Sequence, residues 1–281
     1  MKLQYLGTGA AEGWPAVFCQ CAVCRRAMKL GGKNLRLRSC ALVNDQLLID
    51  VSPDIFAAKL KLKLDLGSVR NVLITHAHMD HFSRENIAMF VEPFAHLTHR
   101  SMLNLWGSAF THRVWDEYAC GSLLHESGLS EAIVFHEVKP FETFMAADVS
   151  VTALPAVHSC PESFIYVLEQ GNSKLLYGND TGLWEAAVWQ SLEAHKETPF
   201  TVVSLDSTMG LPDSSYSGHM TFRQNVQIRD QMLSAGLATA STLFICQHFS
   251  HNGLLLHEQI EEKMNPLGFT VAYDGMAVEV P

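Results

Sequence analysis

The chain has 281 residues, of which 48% are hydrophobic and 17% are charged, and its formal net charge is −9. This apolar fraction suffices for a sizeable core and excludes a disordered chain. The acidic balance argues against non-specific binding to nucleic acid or to an anionic membrane, because such binding needs clustered lysine and arginine. We therefore expect neither a membrane nor a nucleic-acid partner.

No apolar run approaches the length of a membrane span, and the first residues lack the apolar stretch of a signal peptide. We therefore expect a cytoplasmic protein, in which thiols stay reduced and clustered cysteines usually bind metal or take part in catalysis. The sequence holds 7 cysteines and 14 histidines. Cys19, Cys21 and Cys24 lie together, so the composition indicates a metal protein.

Apolar runs predict strands along the whole chain. In order, they cover residues 2–6, the hairpin 40–51, and residues 71–75, 133–138, 149–156, 164–169, 174–177, 200–205, 242–246 and 269–273. Helical spacing is clearest over residues 183–195, 221–237 and 255–264. Residues 59–64 alternate Lys and Leu and fit either an edge strand or the end of a helix. Strands interspersed with helices predict an α/β fold in which helices flank two sheets.

The chain length is compatible with a single domain over residues 1–281. Residues 94–139 are less regular and rich in His, Trp and Tyr, and they lie between two segments that carry candidate metal ligands. We interpret them as an insertion over the site. An ordinary helical pair packed on a sheet is an equally good interpretation.

The segment from Thr75 to His81, T-H-A-H-M-D-H, carries the most specific chemical signal in the sequence. It ends an apolar strand, and in an extended segment His76 and His78 point to the same side. Asp80 and His81 can face the same cavity from the turn that follows. Imidazole suits zinc and similar transition ions, and carboxylate accommodates harder cations. The alternative is a histidine-rich surface turn, which would not need an apolar strand leading into it.

Three further residues of metal-ligand type each follow a predicted strand. His158 follows V-T-A-L-P-A-V, Asp180 follows L-L-Y-G-N, and His248 follows T-L-F-I-C-Q. Singly, they also fit a loop histidine, a turn or helix-cap aspartate, and a polar residue at a strand end. Their recurrence beside the first motif favours one shared site at the end of a sheet.

The motif H-A-H-M-D-H, followed by single His, Asp and His positions, resembles the metallo-β-lactamase superfamily over residues 5–274. The resemblance implies a four-layer αββα sandwich and a metal-dependent hydrolase. The implied ligands are His76, His78 and His158 for one metal, Asp80, His81 and His248 for the second, and Asp180 as the bridge between them. Asp50, which closes L-L-I-D, matches a superfamily position beside the site, and a simple turn carboxylate is the alternative.

Cys19, Cys21 and Cys24 supply three thiols, and His251 lies three residues after His248. Three Cys and one His form a closed tetrahedral set that suits a structural zinc ion. Such an ion would join the N-terminal loop to the strand end that carries His248. Free buried thiols and a redox cluster are the alternatives. This set, together with the opening L-G-T-G-A-A-E-G-W-P-A, resembles the PhnP phosphodiesterases of the carbon–phosphorus lyase pathway, which process a ribosyl cyclic phosphate.

The resemblance also implies a mechanism. Two divalent ions, Zn or Mn with Fe as a further option, would clamp a phosphate and generate a bridging hydroxide as the nucleophile. Asp80 would orient that nucleophile. His219, in S-G-H-M-T, resembles the H-x-T histidine of superfamily phosphodiesterases and would protonate the leaving group, although a loop histidine before a capped helix is the alternative. Asp206 and Asp213 are near His219 in sequence, and neither is identified as its partner.

The leading prediction is a dimetal phosphodiesterase for a small substrate, of which a cyclic ribosyl phosphodiester is one form. One alternative is a tRNA 3′-processing nuclease resembling tRNase Z, suggested by Q-H-F-S and G-H-M-T, although the acidic balance and the lack of a basic arm count against it. Another is a non-hydrolytic biosynthetic protein resembling PqqB, suggested by the cysteine-rich opening. A thiolester or lactam hydrolase is also compatible, because the same nucleophile attacks carbonyls. Apolar αββα surfaces often pair, so a homodimer is a further expectation.

The remaining aromatic and histidine residues carry no assigned role. Trp14 could stack on a ribose or base, but packing is the favoured interpretation. The other histidines are expected to be exposed or hydrogen-bonded polar residues: His96, His99, His112, His125, His136, His195 and His257.

Overall fold

The computed structural model describes residues 1–99, 101–121, 129–194, 196–212 and 214–281. The strands are β1 (Lys2–Gly7), β2 (Cys40–Val43), β3 (Leu47–Ile49), β4 (Asn71–Leu73), β5 (Leu103–Gly107), β6 (Ile133–Glu137), β7 (Thr143–Ala146), β8 (Val149–Pro155), β9 (Phe164–Gln170), β10 (Ser173–Gly178), β11 (Val202–Asp206), β12 (Leu243–Gln247), β13 (Phe269–Val271) and β14 (Ala277–Glu279). The helices are α1 (Ala22–Leu30), α2 (Ile55–Leu62), α3 (Arg84–Ala88), α4 (Ala109–Gly121), α5 (Leu129–Ala132), α6 (Ala186–Glu193), α7 (Phe222–Ser234) and α8 (His257–Met264). None of these described helices is both long and apolar enough to cross a membrane.

The strands form two seven-stranded sheets. Their orders are β14-β1-β2-β3-β4-β5-β6 and β13-β12-β11-β10-β9-β8-β7. Each sheet has an antiparallel half and a parallel half, with β3 to β6 parallel in the first sheet and β10 to β13 parallel in the second. Parallel strands end at the same edge of a sheet, so the loops that follow them emerge side by side there.

Three apolar clusters hold four layers together. The cluster between the sheets joins side chains such as Tyr5 and Ile49 of the first sheet to Tyr166 and Tyr177 of the second. A second cluster packs α1, α6, α7 and α8 on the outer face of the second sheet. The third packs α2, α3 and α4 on the outer face of the first sheet. The chain is therefore an αββα sandwich, which confirms the predicted fold class.

The central strands show why both faces of each sheet must be covered. In β9, Phe164, Tyr166 and Leu168 enter the cluster between the sheets, whereas Ile165 and Val167 enter the helix-covered cluster. Successive side chains of a strand point to opposite faces, so a continuously apolar strand needs a packed layer on each side. Burying such strands on both faces favours the four-layer arrangement over an open sheet.

The structure decides between the alternatives that the sequence left open for several elements. The predicted hairpin forms, and its turn residues Asn44 and Asp45 take positive φ values of 50° and 58°. The Lys–Leu alternation after residue 58 lies at the end of α2, where Ile55 and Ala58 are the buried positions. The described part of residues 94–139 contributes β5, α4, α5 and β6, so this segment is built into the first sheet and its helical layer. Whether it also covers the site stays a prediction, as does the division into domains.

Candidate metal centre

Four loops at one edge of the two sheets bring the predicted binuclear ligands together. The loop after β4 carries His76, His78, Asp80 and His81, whereas His158, Asp180 and His248 follow β8, β10 and β12 of the second sheet. The candidate ligand atoms of these residues form two groups. The first consists of His76, His78 and His158, and the second of Asp80, His81, Asp180 and His248. Within each group these atoms all lie within 4.8 Å of one another. The site is thus shared between the sheets.

The first group consists of three imidazoles. Nε2 of His76 lies 3.0 Å from Nδ1 of His78, and Nε2 of His158 lies 3.1 Å from the same atom. Burial lowers the pKa of His76 well below its ordinary value and also lowers that of His158. Neutral imidazole is the form that binds a metal, so the fold keeps these two side chains ready as ligands at neutral pH.

The second group is buried and combines two carboxylates with two imidazoles. Nε2 of His81 lies 3.1 Å from Asp80 Oδ2, Nε2 of His248 lies 3.1 Å from Asp180 Oδ2, and His81 Nε2 also contacts Asp180 Oδ2. Apart from these contacts within the group, three of the buried atoms have no hydrogen-bond partner among the described residues: His81 Nε2, Asp180 Oδ2 and His248 Nε2. Buried polar atoms are seldom left unpaired, so their convergence fits a shared cation.

Charge in the second group also favours a cation. Burial alone would lower the pKa of His81 and His248, but the neighbouring carboxylates, above all Asp180, raise both, that of His248 to about 10. Conversely, the two imidazoles hold the pKa of Asp180 well below its ordinary value in spite of burial. The raised histidine pKa values report the negative charge of the carboxylates, and that charge would stabilise a bound cation.

Asp50 orients two predicted ligands, His81 directly and His76 through Thr75, by contacts to the ring nitrogens that face away from the site. It is fully buried, and Nδ1 of His81 donates to its Oδ2 at 2.7 Å. The Thr75 hydroxyl also donates to this carboxylate and lies 3.0 Å from Nδ1 of His76, from which it can accept. Both histidines therefore turn Nε2 towards the site. A carboxylate or hydroxyl on the far ring nitrogen is the usual support of a histidine ligand.

Asp206 repeats this arrangement in the second sheet. Its fully buried carboxylate accepts a hydrogen bond from Nδ1 of His219 at 2.9 Å and from the Thr208 hydroxyl at 2.9 Å. Thr208 Oγ1 in turn lies 2.7 Å from Nδ1 of His248, so this ring also points Nε2 into the site. Burial raises the pKa of Asp206, but His219 and His248 outweigh it and lower that pKa to about 2. The sequence had not distinguished Asp206 from Asp213, which lies outside the described residues.

His219 stands beside the ligands rather than among them. It precedes Thr221, whose side chain accepts from Gln224 N to cap α7. Burial lowers its pKa, yet Asp206 and Asp180 raise it to a net value above the ordinary one. Asp180, Asp206, His219 and His248 also lie close enough to hold an ion. Because Nδ1 of both histidines faces Asp206, we interpret this fourth group as an orienting network.

A left-handed backbone conformation orients three of these side chains. Asp50, Asp180 and His248 have positive φ values of 64°, 45° and 60°. Residues other than glycine rarely adopt this left-handed region, and where they do the strain often marks a functional position. Each of the three directly or almost directly follows a strand, so the unusual φ turns its side chain across the sheet edge.

The predicted zinc ligands also converge. Nδ1 of His251 lies 3.6 Å from both Cys19 Sγ and Cys21 Sγ, and the ligand atoms of these residues and Cys24 lie within 4.8 Å of one another. Cys21 caps α1 by accepting from Cys24 N, a contact that lowers the pKa of the Cys21 thiol to about 6. Three sulfurs and one nitrogen in a compact group fit zinc.

Trp14 and the remaining histidines lie outside these ligand groups. Trp14 is buried in the helix-covered core beside Arg36, which agrees with the packing role. His112 contacts Glu137, and His136 contacts Asn104. His257 lies between Arg36 and Glu261. His96 and His99 are exposed, whereas His125 and His195 fall outside the described residues.

With this geometry established, comparison with known proteins identifies the family. Residues 45–275 match the sequence model of the beta-lactamase superfamily domain. The chain belongs to the beta-lactamase superfamily. The superfamily resemblance is thereby confirmed, and the chain combines the metallo-β-lactamase fold with a His/Asp cluster that could hold metal ions.

Several solved structures share the fold over nearly the whole chain. A diphosphatase from the PhnP family superposes with a TM-score of 0.74 at 23% identity, covering 100% of this chain and 98% of that one. Zn²⁺-bound PqqB from Methylobacterium extorquens gives 0.72 at 17% identity, covering 99% and 100%. The short form of human tRNase Z gives 0.65 at 18% identity, covering 100% of both chains. At these identities the likeness establishes the fold alone.

A curated relative matches only a short part of the chain. It is an octanoyltransferase from Porphyromonas gingivalis (strain ATCC BAA-308 / W83), 36% identical over 85 residues. The match covers 29% of this chain and spans 16% of the length of that protein.

Proposed function

We propose that this superfamily member is a metal-dependent phosphodiesterase that hydrolyses a small phosphodiester. The observation that carries the proposal is the pair formed by His219 and Asp206 beside the His/Asp cluster, with 2.9 Å between Nδ1 and Oδ2. Hydrolysis of a diester expels an alkoxide, which needs a proton, and a positioned imidazolium is a common donor. The carboxylates of Asp206 and Asp180 raise the pKa of His219 above its ordinary value, which favours the protonated form of this side chain.

The ligand groups define where the cations would bind. His76, His78 and His158 would hold one, Asp80, His81 and His248 would hold the other, and Asp180 would bridge them. Bound there, two divalent cations would neutralise phosphate charge and activate water. Mixed imidazole and carboxylate donors are compatible with Zn, Mn or Fe. Cys19, Cys21, Cys24 and His251 would hold a separate structural zinc.

Asp80 and His219 would assist the attacking water and the leaving group, respectively. Interactions with His81 lower the pKa of Asp80 despite burial, so its carboxylate stays ionised and can accept a hydrogen bond from the attacking water. On the other side, Asp206 holds Nδ1 of His219, which leaves Nε2 without a hydrogen-bond partner among the described residues. That nitrogen can deliver a proton to the leaving oxygen as the phosphorus–oxygen bond breaks. The products would be a phosphomonoester and an alcohol.

A substrate panel tests this proposal. Purified protein supplied with Zn or Mn would be assayed on a ribose cyclic phosphate, 2′,3′-cyclic AMP, bis(p-nitrophenyl) phosphate, a pre-tRNA with a 3′ trailer, a chromogenic lactam and an acyl thioester. We expect turnover of the small diesters, abolished in Asp180→Ala. Cleavage of the pre-tRNA with inert small diesters would instead support a tRNA-processing nuclease. Turnover of the lactam or thioester alone would contradict phosphodiester chemistry, and no turnover with a full metal content would support a non-hydrolytic role.

A further inference from the structure

An exposed aromatic side chain without an assigned role lies beside His219. The ring of Tyr216 is 5.6 Å from that of His219, centroid to centroid, at an interplanar angle of 46°. Tyr216 is 46% exposed, whereas large aromatic side chains usually bury most of their surface. Its hydroxyl has no hydrogen-bond partner among the described residues. The exposed ring is therefore free to contact a substrate beside the proposed proton donor.

Two glycines permit the backbone and ring positions seen here. A Cβ atom on Gly218 would lie 2.6 Å from Tyr216 Oη and 2.8 Å from Cε1, so only glycine lets the phenol lie against the backbone here. A Cβ on Gly182 would collide with the carbonyl oxygen of Ser217, which holds the same loop from the other side. The Gly218 carbonyl also accepts from Nδ1 of His158 at 3.2 Å. The backbone that places Tyr216 thus also orients a predicted metal ligand.

We propose that Tyr216 is a specificity-determining residue that stacks on a planar ring carried by the leaving alcohol. This inference rests on the proposed function, because a group beside the proton donor must meet the alcohol that receives the proton. The substrate class it selects is a nucleoside phosphodiester, of which a nucleoside 2′,3′-cyclic phosphate is the smallest form. Stacking of a base on an aromatic side chain tolerates any base, since every base has a π face.

The test uses two substrates that differ only in the base. They are 2′,3′-cyclic AMP and the 2,3-cyclic phosphate of methyl β-ribofuranoside, which lacks a base. We expect Tyr216→Leu to lower kcat/KM on the nucleotide about tenfold, mainly through KM, and to leave the abasic substrate unchanged. Tyr216→Phe keeps the ring and should retain the wild-type ratio. Leu211→Ala, which alters another exposed apolar side chain of the same segment, is the matched control.

Equal losses on both substrates would show a merely structural role and would overturn the inference, as would no loss on either. Equilibrium binding gives a readout that does not need turnover. Wild-type protein should bind AMP about tenfold more tightly than ribose 5-phosphate, and Tyr216→Leu should remove that difference. If wild-type protein cleaves none of the small diesters of the substrate panel, the proposed function fails. In that case, and also if only the two cyclic phosphates are inert, the binding comparison still decides the role of Tyr216. Equal wild-type affinities for the two ligands would then refute it.

Discussion

Oδ2 of Asp206 lies 2.9 Å from Nδ1 of His219, and the same oxygen lies 3.4 Å from Nδ1 of His248. One buried carboxylate thus supports both the proposed proton donor and a predicted metal ligand. Removing the donor and removing its support should therefore have different consequences.

His219→Ala should keep a wild-type metal content but lose activity on substrates with poor leaving groups. Loss of a general acid typically costs 10²–10⁴-fold in rate, whereas p-nitrophenolate leaves readily without a proton. We therefore expect kcat to fall about a hundredfold or more on 2′,3′-cyclic AMP and much less on bis(p-nitrophenyl) phosphate. Steady-state kinetics on both substrates, with metal analysis of each preparation, check this. An equal loss on both would argue against proton donation.

Asp206→Asn should impair metal binding as well as proton donation. The substitution removes the charge that holds His219 and, through Thr208, His248. Loss of such an outer partner typically lowers metal affinity 10–100-fold. Titration against a competing chelator measures that affinity, and His219→Ala serves as the control. Unchanged metal affinity in Asp206→Asn would show that His248 does not depend on this carboxylate.

His76→Ala and Asp180→Ala should each abolish turnover while the chain stays folded. His76 belongs to the first ligand group, and Asp180 is the predicted bridge. Circular dichroism and metal content by mass spectrometry would accompany the activity assay. Full activity in either folded variant would contradict the dimetal assignment.

Cys21→Ser should lower thermal stability more than it lowers kcat. The thiol belongs to the proposed structural zinc set and caps α1. We expect one zinc per chain to be lost and the melting temperature to fall by several degrees, since structural zinc contributes directly to folding energy. Cys120→Ser, at an exposed free cysteine, is the control. A Cys21→Ser protein with unchanged zinc content and melting temperature would refute the structural site.

Stability should fall between about pH 6.5 and pH 4 because of His257. Nδ1 of this buried residue must accept from Arg36 at 2.8 Å, and Nε2 donates to Glu261 at 3.0 Å. Burial and the Arg36 charge lower its pKa from 6.5 to about 4. The unfolded chain therefore takes up the proton first as the pH falls, and the loss approaches about 3 kcal/mol by pH 4.

Denaturant unfolding at several pH values measures this effect. His257→Asn keeps an acceptor for Arg36 but cannot gain the proton, so its stability should depend less on pH over the same range. Identical pH dependence in the variant and the wild type would place the acid sensitivity elsewhere.

The fold class and the proximity of several candidate ligands could be predicted from the sequence, whereas the residues that support those ligands could not. His76, His78, Asp80 and His81 are close in sequence, so their proximity needed only a strand and a turn. The roles of Asp206 and Thr208 could not be assigned, because His219 lies 13 residues after Asp206 and Asp213 was an equal candidate. Only the fold shows that the Asp206 carboxylate lies near Nδ1 of both His219 and His248.

One strand was missing from the sequence prediction. The strand β5 is short, its side chains alternate between buried and partly buried, and its five residues L-N-L-W-G lack the β-branched run that marks the central strands. Tertiary packing overrides this weak local preference. For the Lys–Leu alternation, a helix end was one of two predictions, and the structure places it at the end of α2, where Ile55 and Ala58 are the buried residues. Tyr216 was missed because exposure and its distance from His219 are not visible in a sequence.

The ligands come from both halves of the sandwich, with His81 and its support Asp50 on one sheet and His248 and its support Asp206 on the other. Cation binding is therefore linked to docking of the two halves, since an ion held from both sides resists their separation. Chelation should increase amide hydrogen exchange first in the loops at this edge, while the far ends of the strands keep their protection. Cations bound at the proposed site would thus add to the apolar cluster between the sheets in holding the two halves together.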